Sequence, residues 1–400
     1  MIDLILSLDY EIFGNGAGDV MRDIIEPTNR LLDICDRYGA KLTIMFEVAE
    51  YWAFKKMEDK LDLGYSPANA MEEQVKNTIS RGHDVQLHLH PQWLGAELND
   101  RVWRVRINQW SIANLPHGLG DKEDEYSITG ALSKGKHTLE RIIYHVKPSY
   151  ECIAFRAGGF HIQPSRHVIA AMKAVGLLMD SSVVDGLYEK NPMWYCDFRD
   201  AVSNYGYWWT SEDDVCRSGS EYEQILELPV YSTRQLYLTN LRWSKLHAEL
   251  KRRKLESRYR STIRQAGGIR STYKITEILQ KLASMHPVTV DFCKMNARSM
   301  IKAVEEVILT NNHSNDETER IIPIVLIGHS KDFWNDKQLN DFLSAMESHS
   351  RSKGEIKFGT FSDVAEELIK ASDKYVLNTK TDRAVPMITK STEINNWEMV

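Results

Sequence analysis

Two acids stand two residues apart near the start of the chain, in Met1-Ile-Asp-Leu-Ile-Leu-Ser-Leu-Asp9-Tyr-Glu11. Successive side chains of a strand alternate faces, so Asp9 and Glu11 project together, their backbones about 7 Å apart. Ile5 and Ser7 share that face, while Leu4, Leu6 and Leu8 pack the other. One acid of such a pair can bind a metal ion while the other takes a proton, although acids are also common where a strand simply reaches solvent. A second constellation is Gly82-His83-Asp84-Val85-Gln86-Leu87-His88-Leu89-His90-Pro91-Gln92-Trp93. The same period puts His88 and His90 on one face. Neutral imidazole is the commonest protein ligand for zinc and similar ions, so this pair reads as metal ligands. His83, alone after a glycine at a helix-to-strand turn, reads as a cap or a surface residue.

Three further strands end in chemistry-bearing residues. Ala154-Phe155-Arg156-Ala157-Gly158-Gly159 closes an apolar run with a guanidinium, which would hold a carboxylate by a bidentate fork. The two glycines let the backbone approach a ligand closely. A structural salt bridge before a loop is the plainer alternative. Met179-Asp180-Ser181 and Gly328-His329-Ser330-Lys331 finish two more runs. His329 with an acid partner would serve as a general acid near neutral pH. Singly, Asp180 or His329 could be a cap or a satisfied core group. Together, however, five strands end this way, and parallel strands would bring those ends into one mouth.

The elements that must do this are short apolar runs alternating with longer amphipathic stretches, the pattern of βα units around a largely parallel sheet. The expected strands are Asp3–Asp9, Lys41–Val48, Asp84–His90, Cys152–Arg156, Leu177–Ser181, Ile225–Val230, Pro287–Phe292 and Ile322–Gly328. Helices are punctuated by Pro27 before Gly39 and by Pro164 before Gly176. Right-handed crossovers gather the strand C-termini at one end, where barrel chemistry collects. Leu94–Glu125 and Asp185–Tyr222 are Trp- and Tyr-rich and lack a period, so they read as loops decorating one face. Arg242–Arg264 carries nine Lys or Arg against Glu249 and Glu256. It is either a docking surface for a diphosphate-linked sugar or an anionic membrane face, or an ordinary solvated helix. From Asp373 the chain is a polar tail.

Composition sets the outer bounds. The 400 residues are 42% hydrophobic and 26% charged. Such values exclude disorder, collagen-like repeats and a coiled coil for the bulk of the chain. Fifty basic against 56 acidic residues give a formal charge of −6, which argues against general nucleic-acid binding. Five cysteines, at 35, 152, 196, 216 and 293, form no zinc knuckle or redox pair and read as reduced core residues. The opening residues lack the basic region of a secretory signal, and no run approaches the roughly 18 apolar residues of a membrane span. A cytoplasmic location is the expectation.

In Leu4–Glu11, Lys41–Val48, Gly82–Trp93, Phe155–Phe160, Met179–Val183 and Ile324–His329 the chain resembles the polysaccharide deacetylases, the NodB-homology family of metal-dependent carbohydrate esterases. It is most similar to the deacetylase-like proteins of O-antigen and capsule biosynthesis. The resemblance implies a distorted (β/α) barrel of about seven strands over residues 1–372, with insertions near 94–125 and 185–270 and a tail at 373–400. It implies a divalent metal, zinc being the expected one, held by Glu11, His88 and His90. By the same resemblance Asp9 is the base, Arg156 orients it, His329 is the acid, and Asp180 supports the other catalytic side chains. The implied reaction removes the acyl group, acetyl or formyl, of an N-acylated sugar carried on a nucleotide, lipid or glycan. The chain departs from the family in three places. Tyr10 separates the acids, Gln92 stands where a histidine usually follows His88 by four, and Ala-Gly-Gly follows Arg156. Two other readings stand beside this one: a deacetylase-like scaffold that binds glycans or partner proteins without turnover, and a His-x-His phosphoesterase or amidohydrolase.

Overall fold

The computed structural model describes residues 1–61, 63–100, 102–106, 108–190, 195–219, 225–236, 285–312 and 321–368. The basic segment Arg242–Arg264 and the polar tail lie outside these residues. Nine strands form the main sheet: β1 (Ile2–Tyr10), β2 (Leu42–Glu47), β3 (Asp84–Leu89), β4 (Ala154–Ala157), β5 (Met179–Asp180), β6 (Trp208–Trp209), β7 (Leu226–Glu227), β8 (Ile322–His329) and β9 (Ile356–Gly359). Their order is β6-β7-β5-β4-β3-β2-β1-β8. All pairs are parallel except β6 with β7. β1 is central, with β8 along one edge from Ile2 to Asp9. Its other edge is shared by β9 at Ile2–Ile5 and β2 at Leu6–Tyr10.

The sheet curls until its ends approach, and the remaining gap is spanned by single bridges, Val230 to Val325 and Asp291 to Ile327. The result is the distorted (β/α) barrel that the resemblance implies, built on the largely parallel sheet that the alternating pattern predicts. Side-chain alternation sorts two cores. Leu4, Leu6 and Leu8 face outward and join the large cluster beneath the helices. Ile5 faces inward with Met45, Ala154, Met179, Leu226, Leu228 and Val325, and Phe361, Val364, Ala365 and Leu368 plug this interior. Above the plug the inner face of β1 turns polar, through Ser7 to Asp9 and Glu11.

Two helix boundaries follow the expected punctuation. Pro27 sits in the first turn of Glu26–Arg37, and Gly39 beyond its end has φ 62°. Arg166–Val175 begins after Pro164 and stops at Gly176, φ 75°. Two differences concern strands. Only Val290–Phe292 of the expected Pro287–Phe292 run meets β8; Met285–Thr289 instead pairs antiparallel with Ser232–Leu236. β9 and the two-residue β6 are too short to leave a period-two signature. The five cysteines are all buried and unpaired with one another.

Gly328, the residue before His329, is closely packed: a Cβ there would lie 2.5 Å from the Phe292 ring and 2.7 Å from Cys293 Sγ. Overpacking of a ring that cannot step aside costs about 1–3 kcal/mol. Gly328→Ala should therefore lower the unfolding free energy by about that amount, read as a lower urea midpoint at an unchanged m-value, and a wild-type midpoint would refute the packing assignment.

Candidate metal and catalytic site

The strand C-termini do converge. β1 delivers Asp9 and, one residue beyond its end, Glu11. β2 ends at Glu47, β3 leads through His88 to His90, β4 carries Arg156, and β8 ends at His329. Asp9, Glu11, Glu47, His88, His90 and Arg156 are all buried.

Arg156 organises the floor. Its Nη1 donates to Asp9 Oδ1 at 2.6 Å, Nη2 to Ser7 Oγ at 2.9 Å and Ser181 Oγ at 3.1 Å, and Nε to the Ser181 carbonyl at 2.9 Å. The guanidinium thus spreads over three residues and holds Asp9 by one oxygen, not by the bidentate fork that the sequence suggests. The reason is β1's own Ser7, two residues back on the same face, which takes the second nitrogen. The backbone of Arg156 also contributes. Its carbonyl lies 2.9 Å from His88 Nδ1, and because a carbonyl only accepts, that nitrogen carries the proton. Nε2 then faces the site, buried and without a hydrogen-bond partner among the described residues, 3.7 Å from Glu11 Oε2 and 4.0 Å from Asp9 Oδ2.

The other donors are anchored in the same manner. Glu11 gives Oε1 to Lys331 Nζ at 2.5 Å, and turns Oε2 to His90 Nδ1 at 3.0 Å. Glu47 gives Oε1 to the backbone N–H groups of Ala49 and Glu50, at 3.0 and 3.3 Å, which caps the helix Val48–Lys56. Its Oε2 lies 2.8 Å from His90 Nδ1. A side chain at Gly158 would place Cβ 2.4 Å from the His90 ring. The glycine after β4 therefore makes room for an imidazole, rather than for the ligand that the Gly-Gly pair suggests. Ligand atoms of Glu11, Glu47, His88 and His90 all lie within 4.8 Å of one another. Asp9 is outside this set.

Electrostatics explain the protonation states. Burial raises the Asp9 carboxyl, but Arg156 first, then His88 and His329, bring it below the ordinary value. Burial acts likewise on Glu11, and Lys331, then His90, hold it well below. Glu50, which accepts from Ile12 N, is pushed well up by burial and by Glu47 and Glu11. His88 would be lowered by burial, yet Asp9, Glu11 and Glu47 raise it to about 9. Buried acids thus outweigh the two fixed cations, Arg156 and Lys331, and the site draws a further positive charge. An orphaned imidazole nitrogen, a nitrogen–oxygen donor set and a surplus of negative charge together fit a divalent metal ion.

His329 stands opposite, with Nε2 3.6 Å from Asp9 Oδ2 and Nδ1 3.6 Å from Asp291 Oδ2. Asp291 is the acid partner expected for it. Asp180 is not brought into the cluster: Met179 packs in the interior and Ser181 meets Arg156, so the residue between them faces the other way. Its carboxylate accepts from Ser182 N and Oγ and neighbours Glu227 across the β5–β7 register. Burial first, then Asp180, push Glu227 well up. Glu47, Lys331 and Asp291 went unselected in the sequence. An acid ending an apolar strand was a sufficient signal for Glu47; Lys331 and Asp291 meet the site only through long-range packing.

No family model matches the chain, and no curated protein matches it. Among solved structures it is similar to a Mycobacterium smegmatis protein assigned as a polysaccharide deacetylase, with TM-score 0.42 and 12% identity over 98% of this chain and 95% of that one. It is also similar to Puue allantoinase, with TM-score 0.40 and 11% identity over 91% of this chain and 89% of that one. A GH57-type branching enzyme from Pyrococcus horikoshii gives TM-score 0.43 and 13% identity over 92% of this chain and 70% of that one. Likenesses of this size do not decide a function, and the chemistry must be read from the side chains.

Asp291 offers a test of the electrostatics. Burial would raise its carboxyl, but Lys294 and then His329 bring it down to about 2. An unfolded aspartate titrates near 3.9, so the unfolded chain takes up the proton first; the stabilisation is complete above about pH 4 and is lost as pH falls toward 2. Asp291→Asn should cost about 2 kcal/mol near pH 7 and flatten this acid limb in urea titrations. An unchanged slope between pH 4 and 2 would contradict the pairing.

Proposed function

We propose that the protein is a metal-dependent carbohydrate N-deacylase that hydrolyses the amide of an N-acylated sugar. The observation that supports this most is the inward set of atoms at the mouth: Glu11 Oε2, Glu47 Oε2, His88 Nε2 and His90 Nδ1 around one point, with Asp9 and His329 beside it. Glu11, His88 and His90 would hold a divalent ion, zinc being the expected one, with Glu47 as a further donor. When bound, the ion would supply Lewis-acid polarisation of the acyl carbonyl and of water.

The chain's own residues account for the proton movements. Asp9, kept ionised by Arg156, accepts the proton of the attacking water at Oδ2, the oxygen that Arg156 leaves uncovered. His329, on the far side of Asp9 Oδ2, donates from Nε2 to the departing amine as the C–N bond breaks. The Asp291 carboxylate, 3.6 Å from His329 Nδ1, keeps that ring oriented. The products are a carboxylate and a free amino sugar. Asp180, outside the donor cluster, would act through Ser182, which meets the β4 backbone, and through the charge of Arg156.

A setting in surface-polysaccharide biosynthesis is proposed on the sequence resemblance. Among the described residues no helix is long and apolar enough to cross a membrane.

Elemental analysis and turnover separate the roles. Glu11→Ala and His88→Ala should lose bound metal and activity together. Asp9→Asn should retain metal while turnover falls about 10²–10⁴-fold, the usual contribution of a general base. A metal-depleted preparation with full activity would refute the scheme. Substrate class is read by mass spectrometry of N-acylated nucleotide sugars and glycans after incubation, where a product lighter by one acyl group is expected. Release of phosphate from sugar phosphates without carboxylate would replace this reading with a phosphoesterase. Absence of both metal and turnover would leave the scaffold reading.

A further inference from the structure

A second cavity lies outside the donor cluster. It is a groove of about 320 Å³ between the helix Val48–Lys56, the helix Ile128–Ile143 and the stretch Trp93–Ala96. None of the four metal donors lines it. Ala49 and Trp93 do, two residues beyond Glu47 and three beyond His90, so the segments that leave β2 and β3 build both places.

The lining is cationic. Lys55, Lys56, Lys134 and Arg141 face one lining acid, Glu125, in a chain whose formal charge is −6. Lys134 pairs with Glu125 at 2.5 Å, and Lys55 with Glu72 of the neighbouring helix at 3.3 Å. Exposed pairs of this kind hold their cations weakly. Lys56 and Arg141 are exposed and form no ion pair among the described residues, although Arg141 hydrogen-bonds the Tyr51 hydroxyl. A helix end favours nearby cations, which accounts for Lys55, Lys56 and Arg141 one at a time. It does not account for two helix ends and the mid-helix Lys134 meeting at one groove. A cleft lined by one sign of charge focuses its field and gathers counter-ions.

Aromatic rings lie among these cations, and they are held in place. Trp52 Nε1 donates to Thr138 Oγ1 at 3.0 Å, and Lys134 Nζ stands 4.4 Å from the Trp52 ring centre. Tyr126, also in the lining, is backed by the Arg106 guanidinium at 5.2 Å. The turn at Gly95, φ 72°, closes against them: a Cβ there would lie 2.9 Å from Arg106 Nη2 and 3.3 Å from Tyr126 Oη. Rings fixed in this way give contact area at little cost in conformational freedom.

We propose that this groove binds an organic phosphate, a phosphoryl group carried on a sugar or a nucleoside. The phosphoryl oxygens accept from Lys56 and Arg141, a point charge and a planar fork that both suit phosphate. The attached ring packs against Trp52 and Tyr126. A groove of this volume suits a small molecule rather than a bare ion. The inference stands apart from the hydrolase reading, because no step of that reaction uses these residues.

Isothermal titration calorimetry on the full chain tests it, with glucose 1-phosphate, uridine 5′-diphosphate, glucose and inorganic phosphate as probes. Wild type should bind at least one of the two organic phosphates about 10-fold or more tightly than glucose, the scale of one hydrogen bond to a charged group, and more tightly than inorganic phosphate. The tighter of the two tells whether a sugar or a nucleoside is the ring. Lys56→Gln combined with Arg141→Gln should weaken that binding at least about 10-fold with an unaltered circular dichroism spectrum, while Lys56→Arg retains it. Should the double variant fail to fold, Lys56→Gln alone, at an exposed helix end, should weaken binding in the same direction. Binding of neither organic phosphate, or affinities no greater than those of glucose or inorganic phosphate, would overturn the proposal. So would an unchanged affinity in the glutamine variants, which would put the ligand elsewhere. A chain that binds in this way but hydrolyses no N-acylated sugar loses the hydrolase reading and keeps the groove.

Discussion

Carboxylates removed from water must find positive charge, and that requirement shapes the mouth of this barrel. Asp9, Glu11 and Glu47 are buried together, where an uncompensated charge is far costlier than at the surface. Arg156 answers Asp9 and Lys331 answers Glu11. Glu47 is met by a helix N-terminus, whose first N–H groups are unpaired within the helix and whose dipole favours negative charge. What remains falls on the two imidazoles. The polar interior is thus not an accident tolerated by the fold, because every one of these partners is fixed by a strand end or a helix start.

The same pairing gives the site its direction. Each acid has one oxygen engaged on the outside and one turned inward, and His88 divides its nitrogens in the same way between the Arg156 carbonyl and the mouth. A group tethered by its far atom loses little further freedom when the near atom is used, which is how supporting contacts pre-organise a site. Arg156 is the most economical example. Its guanidinium aims Asp9, and its carbonyl sets the tautomer of His88, so one residue on β4 orients both a proposed base and a proposed ligand.

Much of this was legible in the chain itself. The period of two places Asp9 with Glu11 and His88 with His90, and apolar runs on both sides of those residues require buried strands. Those local patterns carry directly into β1, β2, β3, β4 and β8. Asp180 shows where the local reading stops: being at a strand end does not say which face a residue takes, and the inward Met179 and Ser181 leave it the outward one. Lys331 and Asp291 show a second limit. A lysine after a strand and an acid before a loop look like surface residues until β8 is laid along β1 and Val290–Phe292 along β8. Glu47 was within reach, since it ends an apolar run as Asp9 does, but its use of one oxygen as a helix cap gives it the look of ordinary punctuation.

The placement of β1 has a temporal consequence. Its partners on one edge and on half of the other come from β8 and β9, so Ile2 is paired with Ile322 and Ile356. Contacts between residues this far apart form late and make folding slow. During synthesis the strand bearing Asp9 and Glu11 emerges before its neighbours and waits for them, with its leucine face uncovered. The nascent chain therefore depends on some other apolar surface, a chaperone's or its own helices', until the last quarter of the described residues arrives.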